Sequence, residues 1–461
     1  MLHAAQTAAK MSSTPIAHAS GSWRSRFGFV MASTGFAVGL GNIWRFPYVT
    51  GENGGAAFVL MYLAFAFAIG VPILMAEIMV GRRGRSSPPT ALAKVAQASA
   101  RSPRWGWVGY LTLTTAFLIM IAYSVVAGWV LYYFTQAVSF SVSESAVFAS
   151  DDAFQLLLGD VTTLLIWTGV ALTATGAIIF TGVEQGIERA VRVLMPTLFL
   201  LLIGLVIFNA FNGGMSAALA YLFLPDFTKL TWGAPLAALG QAFFSIGVAM
   251  AGMMMFGAYL PQDVAVGKSA VQIVIADTLV ALIAGLVVFP MVFANGLDPS
   301  AGTGLIFQTL PVAFSQMPYG SVVAVLFFLL LSVAAVTSMV GLTEPLVGFL
   351  MERLQCSRRR ATALVIGVLF AVSLISVLSY NHWQHVGFAG RSLAAWLDYI
   401  PNQVMLPLGG LLLALFAGWI LNRQIAEDEL AMASSKYVGL WRSLLRWLAV
   451  PAVAIILLTG L

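Results

Sequence analysis

Hydrophobic positions along this chain gather into long runs separated by short polar stretches. An apolar helix needs about 20 residues to cross the hydrocarbon of a bilayer. Eleven runs reach that length, at roughly 28–50, 56–81, 106–138, 161–181, 190–210, 234–259, 270–294, 320–350, 362–380, 397–422 and 440–460. Residues 1–22 are polar and rich in Ala, Ser and His. They lack the apolar core of a signal peptide, so they read as a disordered tail, and the first run doubles as the insertion signal. Between the seventh and eighth runs, "GLDPSAGTGLIFQTLPVAFSQMPYG" (296–320) holds a helical-period apolar stretch between Gly and Pro breaks. It predicts a short re-entrant helix over one face.

Composition sharpens this picture. The chain has 461 residues, 60% hydrophobic and 9% charged, with a mean hydropathy of +0.92. That is a polytopic membrane protein, because a soluble chain of this size needs far more polar surface. The single cysteine, Cys356, excludes an internal disulfide, and four scattered His do not suggest a metal cluster. No Ser–His–acid set, metal motif or phosphate loop is evident, which argues against an enzyme.

Charge then orients the runs. With a cytoplasmic N-terminus, 20 Lys and Arg fall in inside segments, against only Lys229 and Arg391 outside, Arg45 lying within the first run. That asymmetry predicts the N-terminus inside. The net charge of +5 is membrane orientation, not a nucleic-acid surface.

Two runs are built oddly for lipid. The first carries "VGLGN" (38–42) followed by Arg45, and the sixth carries Gly247 and Gly252 within "LGQAFFSIGVAMAGMMMFGAYL" (239–260). If runs one to five and six to ten are two repeats, the breaks occupy matching places in halves of opposite orientation. Matching glycine breaks point to a transporter's binding site near mid-membrane. Unwound backbone there frees N–H and C=O groups, which lipid does not tolerate unless they face a cavity or a ligand.

At these residues the chain resembles the neurotransmitter:sodium symporter family. The match is carried by "SWRSRFGFVMASTGFAVGLGNIWRFPYVTGENGGAAF", "MIAYSVVAGWVLYYF", "GQAFFSIGVAMAGMMMFGAY" and "AAVTSMVGLTEP", and it covers residues 22–460. It implies an all-α membrane protein of eleven helices with an inverted five-plus-five repeat and discontinuous helices one and six. Repeat one would span about 23–210, repeat two about 232–424, and an extra helix about 440–460. It also implies sodium-coupled uptake by alternating access, in a bacterial-type inner membrane.

The resemblance places two sodium sites. The first would use the Ala37 carbonyl, Asn42, Ser245 and Asp277 with the substrate carboxylate; the second, the carbonyls of Gly35, Val38 and Ala334 with the hydroxyls of Thr337 and Ser338. Oxygen ligands suit a small hard cation. An ionised Asp277 within a span is costly unless paired. The family commonly has Asn there, with Ser or Glu one turn later; here the later residue is Ala281. Asp277 is therefore expected to supply the fixed negative charge that chloride supplies in relatives, so chloride is not expected. It is also a candidate to take up a proton on the empty return step.

Leu40 and Gly41 would offer N–H groups to a carboxylate, helped by the helix dipole, and Tyr123 its hydroxyl. Gly39, where monoamine carriers of the family have Asp, is read as leaving room for the substrate's own carboxylate. Ala37, Ile119, Phe244, Gly247, Met250, Ser338 and Leu342 would complete an uncharged pocket. Gly247 and the flexible Met250 are read as enlarging it, toward Trp, Tyr, Phe, Leu or Met.

Arg45 and Asp398 match the family's outer gate, with Gln241 supporting Arg45. At the inner face Trp23 and Glu352 match, but Ser20 stands where the family has Arg, leaving Arg24, Arg26 or a weaker latch as alternatives. "GIERAVRVLMP" (186–196) matches a motif that unwinds helix five. The alternatives to hydrophobic amino-acid uptake are a sensor of the same fold and a symporter for a small neutral amino acid. The oligomeric state is not legible.

Overall fold

The computed structural model describes residues 22–143, 152–299, 304–430 and 435–460. The predicted tail lies outside the described residues apart from Ser22. Almost everything described is helical, with one two-residue hairpin pairing Gly387–Phe388 against Arg391–Ser392.

The chain enters at Ser25, whose hydroxyl accepts the Gly28 N–H and caps α1 (Arg26–Ala37). After a break, α2 (Gly41–Glu52) continues at an angle of 44°. There follow α3 (Ala56–Gly84), α4 (Gly106–Ser143), α5 (Val161–Phe180) and α6 (Val183–Asn212). Next come α7 (Ala234–Ile246), α8 (Gly252–Ala258) and α9 (Val266–Ala294). A short helix α10 (305–316) precedes α11 (Gly320–Leu354), α12 (Arg358–Ser379) and α13 (Leu393–Ile420). The chain ends in α14 (Arg423–Leu430) and α15 (Lys436–Thr459).

Among the described residues nine helices are long and apolar enough to cross a membrane, and α1 with α2 makes a tenth as one bent span. The remaining predicted run, 234–259, is divided into α7 and α8, each too short to cross alone. The fifth run begins earlier than its hydropathy suggested, because a six-residue π turn, Val183–Glu188, leads into it. The predicted re-entrant stretch does contain a short helix, α10.

Hydrophobicity alone does not separate core from lipid face here; packing does. On α6, Val193, Leu200, Ile203, Ile207 and Phe211 are exposed along one side, while Val191, Met195, Leu198, Leu202 and Leu205 are buried on the other. An exposed apolar stripe of this length is at home against lipid. Inside, α4 and α11 pack along one another, α1 lies against α11 and α9, and α8 lies against α3. The two interrupted helices are thereby held between the long ones.

Candidate functional site

The break in helix one is closed by side chains. Val38 leaves the helical region with ψ of 99° and ends α1. The Gly39 N–H is taken by Asn42 Oδ1 at 3.0 Å and the Leu40 N–H by the Tyr123 hydroxyl at 3.1 Å. Both donors would be orphans in a dry interior.

The break between α7 and α8 is longer, at residues 247–251. Gly247, Ala249 and Ala251 all have positive φ, at 77°, 62° and 63°. Left-handed alanine is disfavoured by its Cβ, so this backbone is strained and held by its surroundings. The Ala249 N–H is held by Glu77 Oε1 of α3 at 3.0 Å. Glu77 is fully buried, and its other oxygen has no hydrogen-bond partner. The sequence reading missed this residue. An acid at mid-span in "VPILMAEIMVG" is itself the signal that could have found it.

Between the two breaks lies a buried oxygen-rich cluster. Ser245 Oγ sits 3.0 and 2.9 Å from the two carboxylate oxygens of Asp277, Asn42 Nδ2 donates to Asp277 Oδ1 at 2.7 Å, and the Tyr62 hydroxyl stands 3.3 Å from Asp277 Oδ2. Asn42 Nδ2 also reaches Ser245 Oγ and the Asp277 carbonyl. So the structure brings together Asn42, Ser245 and Asp277, from α2, α7 and α9. A second meeting point joins α1 to α11: Ser338 Oγ donates to the Phe36 carbonyl at 3.1 Å, next to the open end of α1. Thr337 bonds back to the carbonyls of Val333 and Ala334. Gly35 faces α6, where its bare Cα lies against Met195 and Val191.

Two glycines of the site are closely approached by side chains. A Cβ on Gly39 would run into Ser338 Oγ and the Tyr123 hydroxyl. The bare Cα therefore lets Ser338 and Tyr123 stand close over the break. A Cβ on Gly247 would stand 2.7 Å from the Phe36 ring, and Cβ atoms on Gly252 and Gly341 would meet the same ring. The room provided by Gly247 is thus filled by Phe36, another residue the sequence reading missed. An apolar side chain in an apolar helix carries no signal of its own.

A cavity of about 350 Å³ opens beside this centre, bordered by Arg45, Asp398, Phe244, Tyr123, Ile119 and Tyr380 among others. Ala37, Leu40, Met250 and Leu342 are buried and do not border it. Arg45 bonds Gln241 Oε1 at 2.7 Å, and its guanidinium lies 5.2 Å from the centre of the Phe244 ring. Gln241 donates in turn to the Gly41 carbonyl. Asp398 is engaged by Asn402 at 2.7 Å. Arg45 and Asp398 face the same cavity without forming an ion pair.

The opposite face is shut. The Trp23 indole donates to the Phe256 carbonyl at 2.9 Å, and the Tyr259 hydroxyl donates to Glu344 at 2.7 Å. Arg358 pairs with Glu344 and reaches the Ile179 carbonyl. Of the alternatives for the inner latch, neither Arg24 nor Arg26 reaches Glu352. Glu352 accepts the Ser87 N–H at the start of the helix Pro88–Ala98, where first-turn donors lack helical partners. Arg26 bonds Gln272 instead. Arg24 uses its backbone N–H on Glu188, and its guanidinium stands 3.9 Å from Glu184.

Two interrupted helices meeting at a buried polar centre, open to one face and closed to the other, define a membrane transporter. The chain belongs to the sodium:neurotransmitter symporter family, whose model matches residues 20–148 and 156–460. It is 33% identical over 439 residues to YhdH of Bacillus subtilis, described as an uncharacterized sodium-dependent transporter, covering 95% of this chain and 96% of that one. A sodium-dependent transporter of Haemophilus influenzae, also uncharacterized, is 31% identical, over 95% and 98% of the two chains. Among solved structures, MhsT in complex with L-phenylalanine matches with a TM-score of 0.88 and 38% identity, over 95% of this chain and 99% of that one. The protein is thus a multi-pass, sodium-dependent symporter and not an enzyme.

Proposed function

We propose that this protein imports a hydrophobic L-amino acid, aromatic or large aliphatic, together with sodium. The observation that carries the reading is the Asn42–Ser245–Asp277 cluster, set directly beside the Leu40 N–H and Tyr123 hydroxyl. Turning the Asn42 amide over, at the cost of its bond from the Gly39 N–H, would add its Oδ1 to the carboxylate and hydroxyl oxygens, giving a hard-cation donor set. A substrate carboxylate entering there would accept from Leu40 N–H and Tyr123 O–H and share the cation, so that each ligand favours the other's binding. The second sodium would be held by the Gly35, Val38 and Ala334 carbonyls with Thr337 and Ser338.

With sodium bound beside it, an ionised Asp277 would supply the fixed negative charge of the first site, which supports transport without chloride. The side chain of the substrate would meet Ile119 and Phe244, uncharged walls bordering the cavity, and the phenylalanine bound by MhsT supports a large apolar cargo. The two interrupted helices would belong to five-helix repeats of opposite orientation. The Lys and Arg distribution supports an inner-membrane orientation with the N-terminus cytoplasmic. On that orientation the cavity beside Arg45 faces outward and the Trp23 face is closed.

The test is uptake of labelled L-phenylalanine into liposomes holding the purified protein, with sodium or potassium outside and each of the twenty amino acids as competitor. Sodium-driven accumulation, displaced by large apolar amino acids alone, is expected. Uptake indifferent to sodium would overturn the coupling, and displacement by small neutral amino acids alone would overturn the cargo.

A further inference from the structure

Between Glu77 and Glu144 the chain carries six basic residues and no acid. Four of the six are engaged: Arg82 and Arg83 by Glu429, Arg85 by the Ala258 carbonyl and Lys94 by Ser86. Arg101 and Arg104 are exposed, and their guanidinium groups make no hydrogen bond or ion pair among the described residues. We propose that Arg104 marks a binding site for the headgroup of an anionic phospholipid, in the groove between the helix Pro88–Ala98 and the start of α4. The proposal takes from the transport reading only that the Trp23 face lies at the cytoplasmic boundary of the bilayer.

The groove follows from two glycines. Cβ atoms on Gly106 and Gly109 would run into the backbone of Pro88 and Pro89. The bare first turn of α4 therefore lets the helix Pro88–Ala98 lie flush against it. The neighbouring positions on α4, Trp107 and Tyr110, are 51% and 46% exposed. With Pro89, Thr90, Ala93 and Arg104 they border a cavity of about 580 Å³. Arg104 is placed at its edge by the single turn Pro103–Trp105, capped by the Ser102 hydroxyl, which accepts the Arg104 N–H at 3.3 Å. On α11 the Phe349 ring meets Tyr110 edge-on at 5.7 Å, and Arg353, one turn further along, is a third exposed cation on that side.

None of the residues bordering the cavity is acidic, so a phosphate there meets attraction without a competing carboxylate. The planar fork of arginine fits two phosphate oxygens at once, and basic pockets at the cytoplasmic boundary suit anionic headgroups. The apolar wall decides the source of the phosphate. Trp and Tyr favour the level where hydrocarbon meets water. Trp107, Tyr110, Thr114 and Phe117, exposed or half-buried, follow one another at helical spacing along α4. A lipid whose phosphate rests on Arg104 lays its chains along that stripe, whereas a water-borne anion gains nothing from it.

The experiment uses Trp107 as the reporter. The full chain is reconstituted in phosphatidylcholine vesicles holding a minor share of brominated phosphatidylglycerol or, in parallel, brominated phosphatidylcholine. Subtracting the quenching seen in Trp107→Phe isolates this indole from the other tryptophans. Its quenching should favour phosphatidylglycerol about five-fold, the effect of one Arg near the membrane surface. Arg104→Gln should bring the ratio close to one, and Arg104→Lys should keep part of it. Arg360→Gln, at another exposed cation of the same face, should leave the ratio unchanged. Equal quenching by the two lipids would overturn the site. So would an equal loss in Arg360→Gln, which would mean a diffuse basic surface. Inorganic phosphate, set against chloride at equal ionic strength, should not lower the ratio; if it does, the groove serves a soluble anion and the lipid assignment fails. No transport is measured, so an error in cargo or coupling leaves the outcome readable.

Discussion

The Glu77 carboxylate holds the N–H of Ala249 across the gap between α7 and α8, at 3.0 Å. This bond satisfies a donor that the left-handed stretch from Gly247 to Ala251 sets free. The second oxygen of Glu77 is buried and unbonded, so an amide in its place loses no partner. Glu77→Gln should therefore keep sodium-driven uptake and melt within about 1 kcal/mol of the parent. Glu77→Ala leaves a buried N–H unpaired, at about 1–3 kcal/mol, and should abolish uptake. Thermal unfolding in detergent and liposome uptake measure both. If Gln proves as damaging as Ala, the carboxylate has a further role that this bond does not explain.

Asp277 meets only uncharged donors, Asn42, Ser245 and Tyr62, within its buried cluster. A carboxylate so placed is costly unless a cation joins it. Uptake should therefore be equal in chloride and in gluconate. Asp277→Asn should weaken sodium activation about ten-fold or more, since it removes a whole ligand charge at short range. Adding Ala281→Ser, which places a hydroxyl one turn after position 277, should return part of the activity in chloride but not in gluconate. A steep chloride requirement in the unaltered protein would dispose of the argument.

How far the sequence reached depends on the kind of residue. Long apolar runs announce helices because the bilayer permits little else, and nine of the predicted runs overlap single long helices among the described residues, while the first and sixth are broken. Gly39, Asn42 and Arg45 stood out because lipid selects against them. Glu77 carried the same kind of signal and was passed over. Phe36 carried none, since what it does depends on three glycines brought from the α7–α8 break, α8 and α11 by packing. The bond from the Arg24 N–H to Glu188 and that from the Ser87 N–H to Glu352 are choices of partner, over 164 and 265 residues of sequence. Periodicity and hydropathy cannot rank such pairings. The neighbours that crowd Gly39, Ser338 and Tyr123, are likewise supplied by packing and carry no local signal.

Phe36 and Gly247 should behave as one unit. A methyl group on Gly247 would press on the Phe36 ring at 2.7 Å, on a backbone with φ of 77°. Gly247→Ala should cost about 1–3 kcal/mol for the overpacking, with a further 1–2 kcal/mol or so for left-handed alanine. Combining it with Phe36→Leu relieves the first cost but not the second. The double variant should then recover about half of the lost stability, read as a midpoint shift on thermal unfolding. Full recovery would mean that backbone conformation at 247 is unimportant; no recovery would mean that the ring is not the obstacle.

The Glu344–Arg358 pair ties the end of α11 to the start of α12, and the Tyr259 hydroxyl adds α8 to the same carboxylate. Glu344 is fully buried and Arg358 nearly so. Removing one member strands a charge in the closed face, and such losses run to about 3–5 kcal/mol. Arg358→Met should therefore lower the unfolding midpoint far more than Tyr259→Phe, which deletes one hydrogen bond worth about 1–3 kcal/mol to a charged acceptor. Because the pair also closes the face that Trp23 covers, its loss should shift the protein toward a state open there. Exchange of labelled for unlabelled amino acid across the liposome should then survive better than net uptake, since only the latter needs both faces to close in turn. Replacing both residues, Glu344→Gln with Arg358→Met, should restore much of the stability but not the net uptake. A double variant that regains uptake as fully as stability would show that the pair is structural and takes no part in gating.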